Sequence, residues 1–387
     1  MKKRIFSILL CVVMLMIGIV GCAGGQESAQ QNELTLQNIK VGFVHISDPS
    51  DKGYTYNHDQ GTKAMQAELG LEDEQIINKY NVSQGAECDT ALRELVDAGC
   101  NIIFATSFGF EDYVIEVAKE YPEIEFCHAT GYQAASSGLS NFHNYFASIY
   151  EARYAAGIAA GLKTKSDKLG YVAAFPYAEV ISGFSAFYLG AKSVNPDVVM
   201  EIKYTNTWND PKLESEVAQS LVDIGCDVIS QHSDSTASAT TAEKNGVWQV
   251  GYNADMIEAA PKASLISARI DWSVYLTEAV SAVIEGKPIP SDWCKGFDSE
   301  GEKDVVYLSP LNEEIAAEGT EEKIAEAIEG IRAGNIHVFA GPLKGSGTDM
   351  QGNSISIELK EGEHFPEQEV ASAPSWNYIL EGCTVTD

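Results

Sequence analysis

Basic residues are scarce in this chain of 387 residues: 26 Lys and Arg stand against 56 Asp and Glu, a formal net charge of −30. Nucleic-acid binding needs basic patches that neutralise phosphates, so this charge argues against nucleic acid as a partner. It also argues against binding to anionic lipid through a polybasic surface. The length predicts two or three domains, since domains commonly hold about 150 residues.

The motifs of several enzyme and cofactor classes are also missing. The sequence has no GxGxxG or GxxxxGK[ST] phosphate loop, no HExxH zinc motif, no nucleophile elbow and no CxxC pair. Lone histidines such as His232 are more plausible as ligand contacts than as catalytic bases. We therefore predict that the protein is not an enzyme, has no catalytic residues and takes no cofactor or metal.

A long apolar run occurs at the amino terminus. Lys2, Lys3 and Arg4 precede the apolar residues from Ile5 to Val20, and Gly21-Cys22 follow. The run is shorter than the roughly 20 residues of a spanning helix, and its end resembles a bacterial lipobox. We predict a lipoprotein signal peptide over 1–22 with lipidated Cys22, and a flexible tether over 23–38. The folded part would then sit on the extracytoplasmic face of the cell membrane, held by lipid; the alternative is an uncleaved anchor helix.

Two segments of the chain resemble each other. Residues 92–107 and 218–233 each contain a helix end, a Gly, an apolar strand and a small hydroxyl residue. Recurrence of this kind predicts two structurally related halves.

Each half alternates strands with helices, a pattern typical of parallel, doubly wound sheets. In the first half we predict strands at 40–46, 75–80, 101–106, 124–129 and 139–143, and helices at 57–69, 85–98, 111–120 and 148–161. In the second half we predict strands at 169–174, 199–204, 227–231, 247–251 and 264–268, and helices at 181–194, 211–224, 235–245 and 272–286. A further strand at 304–308 and a helix at 313–333 are predicted in the tail.

The predicted fold class is α/β, with two Rossmann-like domains, a hinge and a cleft between them. The N-terminal lobe is predicted over 39–165, completed by part of 270–340. The C-terminal lobe is predicted over 166–270, completed by part of 300–387. Ligands of such sheets bind beyond the carboxyl ends of the strands, so two facing sheets form a binding cleft.

The loops at these strand ends are rich in aromatic and acidic residues and poor in cations. Aromatic faces stack on flat rings, and carboxylates accept hydrogen bonds from N–H and O–H groups. A flat polar ligand suits this composition and a phosphate does not. Sugars suit it as well, so composition leaves both ligand classes open.

Three stretches resemble the basic membrane protein family, the substrate-binding lipoproteins of certain ABC importers. They are residues 51–61, 151–157 and 251–256. The resemblance implies the type I periplasmic-binding-protein fold and a cleft that closes on a purine nucleoside or, in one branch, on a free purine base. It also implies delivery of the ligand to the subunits of an ABC permease.

The resemblance further implies roles for single residues. Tyr54 takes the place of the family's stacking aromatic, and Trp272 is the candidate for the opposite face of the ring. Ala268 stands where nucleoside-binding members carry a Lys, which favours a free base such as adenine or hypoxanthine. The full predicted ligand-binding set is Tyr54, Thr55, Tyr56, Phe108, Asp112, Glu179, Trp208, His232, Asp234, Asp255 and Trp272.

The expected partners are a purine, the permease and, through lipid alone, the membrane; the expected oligomeric state is a monomer. Three alternatives stay open at this point. The chain could bind a sugar or another small metabolite, act as a sensor for a signalling protein, or hydrolyse nucleosides.

Overall fold

The computed structural model describes residues 33–297, 303–349 and 351–386. The predicted signal peptide, Cys22 and most of the predicted tether lie outside these ranges. The chain from Leu34 onward clusters as one unit. Within the described ranges, no helix is both long enough and apolar enough to cross a membrane.

The first lobe is built on a six-stranded sheet in which all neighbouring strands run parallel. Its order is β11-β5-β4-β3-β1-β2, with β1 (Val41–Val44), β2 (Ile76–Lys79), β3 (Ile102–Ala105), β4 (Glu125–Ala129), β5 (Phe142–Ala147) and β11 (Asp292–Lys295). Helices α1 (Tyr54–Leu69), α2 (Ala86–Asp97), α3 (Glu111–Glu120) and α4 (Ala134–Ser137) alternate with the strands. Strands β1, β3 and β5 are buried along their whole length, as apolar strands covered by helices on both faces should be.

The second lobe has seven strands in the order β12-β10-β9-β8-β6-β7-β16. They are β6 (Lys168–Ala173), β7 (Val199–Tyr204), β8 (Val228–His232), β9 (Trp248–Tyr252), β10 (Ser264–Ile270), β12 (Val306–Leu308) and β16 (Cys383–Val385). Its helices are α5 (Ile149–Lys163), α6 (Ala178–Val194), α7 (Pro211–Asp223), α8 (Ala237–Asn245) and α10 (Thr320–Arg332). The order β7-β6-β8-β9-β10 repeats the order β2-β1-β3-β4-β5 of the first lobe, so the two related sequence segments occupy equivalent places in related halves.

The chain passes between the lobes more than once. Helix α5 follows β5 of the first sheet but packs on α6 of the second lobe. Helix α9 (Ser273–Ile284) follows β10 of the second sheet but packs on α1 of the first lobe. The chain then forms β11 in the first sheet and returns to the second as β12. Such crossovers connect the two lobes of the hinged α/β fold predicted from the sequence.

The tail adds structure that the sequence did not predict. Strands β13 (Leu343–Thr348), β14 (Ser354–Leu359) and β15 (Ile379–Leu380) form a small antiparallel sheet, and β16 joins the edge of the second sheet beside β7. The tail also bonds to both lobes. The Ser372 amide donates to Asp292 of β11 over 2.8 Å, and the Ser182 hydroxyl of α6 donates to Glu367 over 2.7 Å.

The helix predicted in the tail starts too early. Helix α10 begins at Thr320 and not at residue 313. Gly319 precedes it with φ of +79°, a left-handed conformation that an α-helix cannot contain. Residues before Gly319 form a separate turn, in which the Ala316 amide donates to the Asn312 carbonyl over 2.9 Å.

Candidate functional site

A small cavity lies between the carboxyl ends of the two main sheets. Each wall residue follows or ends a strand, or begins the next helix, which is where doubly wound sheets bind ligands. The first lobe contributes Ile46, Tyr54, Ser107, Phe108 and Thr130, and the second contributes Glu179, Trp208, His232, Asp234 and Tyr252.

Two carboxylic acids approach the cavity from the second lobe. Glu179 lies in the first turn of α6, and its Oε1 is 3.6 Å from Nε2 of His232. Burial raises the pKa of Glu179 to about 7, although the Arg153 cation acts against this rise. Glu179 therefore changes charge near neutral pH, so its protonation state is sensitive to what occupies the cavity.

Asp234 is held by several groups at once. Its Oδ1 accepts from the Tyr54 amide over 3.0 Å and from Nδ2 of Asn253 over 3.3 Å. Burial, reinforced by the neighbouring carboxylates of Asp51 and Glu214, raises the pKa of Asp234 well above its ordinary value. The neutral acid is favoured, and in that form Oδ2 can donate a hydrogen bond while Oδ1 still accepts.

Arg153 on α5 lies behind this wall and is buried. Its guanidinium carbon is 3.6 Å from the centre of the Tyr252 ring, and Nη1 donates to the Gln231 carbonyl over 2.7 Å. Burial, together with the Arg153 charge, holds the pKa of His232 well below its ordinary value. His232 is therefore neutral and can present either a donor or an acceptor.

Several buried polar atoms of the cavity wall have no hydrogen-bond partner among the described residues. They are the hydroxyls of Tyr54 and Tyr252 and Nδ1 of His232. Burial of an unpaired polar group is costly, and native proteins pair most such groups. These atoms mark positions at which a polar ligand would complete the hydrogen bonding of the wall.

Thr130 is a backbone outlier at the cavity. Its φ is +65°, a left-handed conformation that is rare for a β-branched residue. Its amide donates to the Tyr145 carbonyl over 3.1 Å, which helps to hold this conformation. Strained positions of this kind cluster at binding and catalytic sites.

The structure brings six of the predicted ligand-binding residues together around the cavity: Tyr54, Phe108, Glu179, Trp208, His232 and Asp234. Five others lie off the wall. Thr55 is buried in the first turn of α1, and its amide donates to Asp51 over 3.1 Å. The Tyr56 ring packs under the Lys52 ammonium at 4.4 Å.

The two remaining acidic residues of the set serve local structure. Asp112 is exposed and accepts from Nε2 of Gln133 over 2.9 Å. Asp255 accepts from the Ile257 amide over 3.0 Å at a turn. Neither carboxylate is part of the cavity wall.

The predicted pairing of Tyr54 with Trp272 across a ligand is corrected by the geometry. The two rings meet edge to face, with centroids 6.0 Å apart and planes at 83°, so no ring fits between them in parallel. Trp272 is fully buried and stacks on His58 with centroids 4.1 Å apart. Trp272 supports Tyr54 from behind and does not face the cavity.

Four wall residues were missed from the sequence: Ile46, Ser107, Thr130 and Tyr252. Tyr252 and Arg153 both lie within the sequence stretches that resemble the family, which was the available signal for them. Ile46, Ser107 and Thr130 are small or apolar residues, and nothing in their type distinguishes them from neighbours in the same loops.

The comparisons with known proteins agree with this architecture. The family model Bmp, the PnrA-like substrate-binding proteins of ABC transporters, matches residues 38–335. The chain is a Bmp-family protein. This family consists of solute-binding proteins and is not an enzyme family; its members bind a small molecule outside the cytoplasm and work with a permease.

Relatives and solved structures extend this Bmp assignment. A purine-binding protein of Brucella abortus is 36% identical over 309 residues, covering 80% of this chain and 85% of the relative. A putative ABC transporter glucose-binding protein of Haloferax volcanii is 32% identical over 340 residues, covering 88% and 82%.

Two solved structures share the fold at low sequence identity. A solute-binding protein of an ABC transporter from Conexibacter woesei has a TM-score of 0.63 at 16% identity, covering 77% of this chain and 98% of that one. A solute-binding protein from Aeropyrum pernix has a TM-score of 0.61 at 21% identity, covering 77% and 87%. Together they show the two-lobed periplasmic-binding fold.

Proposed function

We propose that this Bmp-family protein is the receptor of an ABC importer for a purine, with a free base such as adenine or hypoxanthine as the preferred ligand. The observation that carries the proposal is the composition of the cavity wall. Aromatic rings from both lobes surround two protonatable carboxyl groups, a neutral histidine and two unpaired tyrosine hydroxyls. The purine-binding relative from Brucella abortus supports the same ligand class.

A purine ring matches this wall because its edge alternates ring nitrogens that accept hydrogen bonds with N–H groups that donate them. Glu179 accepts from such a donor when it is ionised, and the neutral acid of Asp234 donates to a ring nitrogen. Phe108 and Trp208 supply faces for stacking, worth about 0.5–1.5 kcal/mol for each aromatic pair beyond area burial. A ligand with the wrong edge leaves buried groups unpaired, at about 1–3 kcal/mol each.

The position of Ala268 favours a base over a nucleoside. Ala268 is fully buried in β10, and neither it nor Arg269 belongs to the cavity wall. Nε of Arg269 donates to the Asn253 carbonyl over 2.9 Å, away from the cavity. No cation of this segment is therefore directed at a ribose.

A sugar is the second candidate ligand. The similarity to a putative glucose-binding protein favours it, and sugars also stack on aromatic faces and donate to carboxylates. The two candidate ligands differ at Asp234. A purine has ring nitrogens that can accept a hydrogen bond from the neutral carboxylic acid of Asp234, whereas a sugar has many hydroxyls but no ring nitrogen.

Ligand-dependent thermal stabilisation tests the proposal. The chain from Gln26 onward keeps every described residue, and partial unfolding with dialysis removes any ligand that co-purifies. Adenine, hypoxanthine, adenosine, inosine, glucose and ribose are then compared, since a ligand of the native state raises the melting temperature by mass action. We expect stabilisation by a base but not by its nucleoside. Stabilisation by glucose alone would exclude the purine proposal and leave the fold intact.

We further propose that the receptor is a monomer, tethered by lipid at Cys22 to the extracytoplasmic face of the membrane. The apolar run and the lipobox-like end of residues 1–22 support the anchor. Closure of the lobes over the ligand would create the surface that the permease recognises.

A further inference from the structure

The amino-terminal turn of α1 is capped by carboxylates from both lobes. Asp51, in the same lobe, accepts from the amides of Gly53 (2.9 Å), Thr55 (3.1 Å) and Tyr56 (3.0 Å). The amide between them, that of Tyr54, donates to Asp234 of the second lobe over 3.0 Å. Four adjacent amides, which a helix leaves without partners of its own, are thus shared between two lobes.

Asp234 is also held by hydrogen bonds within its own lobe. Its amide donates to the Trp208 carbonyl over 2.8 Å, and its Oδ1 also accepts from Asn253. Its side chain therefore has little freedom, so its contact with the Tyr54 amide specifies one relative position of the lobes.

Gly53 allows Asp234 to come this close to the start of α1. A Cβ atom placed on Gly53 would lie 2.5 Å from both Cα and Cβ of Asp234, closer than real Cβ contacts occur. The Asp234 backbone is part of this contact, so a side-chain rotation cannot relieve it. Any larger residue at position 53 therefore forces the backbones of residue 53 and Asp234 apart, and these belong to different lobes.

We propose that Asp234 is a positioning residue for lobe closure: its carboxyl group caps α1 from the opposite lobe, and Gly53 provides the space for it. This inference rests on the proposed receptor function, because it concerns the transition that traps the ligand. Asp234 and Tyr54 are both cavity residues, so the contact aligns one wall from each lobe at the moment the cavity closes.

Gly53→Ala tests the proposal without altering any wall residue, and Ser50→Ala is the matched control in the same loop. Ser50 is exposed, and its hydroxyl bonds to Asp48 of its own lobe. Small-angle X-ray scattering measures the radius of gyration of the chain from Gln26 onward, as purified and with adenine. Stopped-flow fluorescence measures adenine dissociation.

We expect the wild type and Ser50→Ala to reach the compact form, and Gly53→Ala to stay expanded and to release adenine at least tenfold faster. Gly53→Ala that is as compact as the wild type in every condition would overturn the proposal. So would a wild type that never becomes compact, because the contact would not exist in solution. A third outcome separates the two proposals. If the wild type is compact as purified, adenine does not change its radius of gyration, and Gly53→Ala stays expanded, the purine ligand is refuted and the closure contact is supported.

Two substitutions at Asp234 separate capping from ligand contact. Asp234→Asn keeps an oxygen that accepts from the Tyr54 amide, and Asp234→Ala removes it. We expect Asp234→Asn to retain the compact form and Asp234→Ala to lose it. Equal compaction in both variants would show that Asp234 plays no part in closure.

Discussion

Among single residues, Glu179 links stability to recognition. Its pKa in the folded protein is about 7, against an ordinary value of 4.5, because burial disfavours the charged form. Between these two values the folded state binds more protons than the unfolded state. The stability of the ligand-free protein therefore falls as pH rises through this interval.

Glu179→Gln should remove that dependence. At pH 8 we expect the free energy of unfolding of the ligand-free variant to exceed that of the wild type by up to about 3 kcal/mol, and at pH 5 we expect little difference. Urea denaturation at the two pH values measures both. Equal gains at pH 5 and pH 8 would mean that ionisation of Glu179 is not the cause.

Truncation of Trp272 should mainly lower stability, whereas truncation of Trp208 should mainly weaken ligand binding. Trp272→Ala leaves a void behind Tyr54 and should lower the free energy of unfolding by about 3–5 kcal/mol. Trp208 is half-buried and lines the cavity, so Trp208→Ala should weaken adenine binding at least tenfold with little loss of stability. Calorimetry of unfolding and of binding separates the two; a stable Trp272→Ala protein with weakened binding would contradict this assignment.

The sequence placed both tryptophans after strands, but it did not show which way their side chains point. Strand-end position correctly indicated Glu179, Trp208 and Asp234 as cavity residues, since loops after parallel strands converge at one edge. Trp272 follows a strand in the same way, but α9 packs on α1 and turns its ring toward His58. Such orientations depend on packing between helices distant in sequence, which periodicity and residue type do not encode.

At the level of elements, the tail is fastened to α6 through Glu367. This buried carboxylate accepts from the Ser182 hydroxyl and from the amides of Ser375 and Trp376. Helix α6 also carries Glu179 in its first turn, so the tail supports the helix that forms part of the cavity wall.

Glu367→Ala should leave these donors buried without a partner. We expect a loss of about 1–3 kcal/mol in the free energy of unfolding for each donor that water cannot reach. Glu361→Ala, an exposed change in the same tail, is the matched control. Chemical denaturation compares the two variants, and equal stability would show that Glu367 does not fasten the tail.

The elements of the two main sheets were predictable to a greater extent than those of the tail. Apolar runs such as Ile102–Ala105 specify buried strands by composition alone. Strand β13 contains two glycines and two hydroxyl residues, and β15 has two residues in all, so neither carries a recognisable pattern. Their pairing depends on distant partners and not on local preference.

For the whole molecule, the lipid proposed at Cys22 determines attachment to the membrane. If Cys22 carries the lipid, Cys22→Ser should move the protein from the membrane fraction to the soluble fraction. Fractionation followed by immunoblotting measures the distribution, and mass spectrometry of the mature amino terminus identifies the lipid. Retention of Cys22→Ser in the membrane fraction would instead support an uncleaved anchor helix.

The last strand has a consequence for biosynthesis. Cys383 of β16 pairs with Met200 of β7, a partner from the middle of the chain. The outer edge of β7 therefore stays unpaired until almost the entire remaining sequence has been translated. An uncovered strand edge is a template for pairing with other chains, and contacts between distant residues form late. Chains interrupted before residue 383 would therefore carry an open sheet edge, which makes aggregation the expected fate of incomplete products.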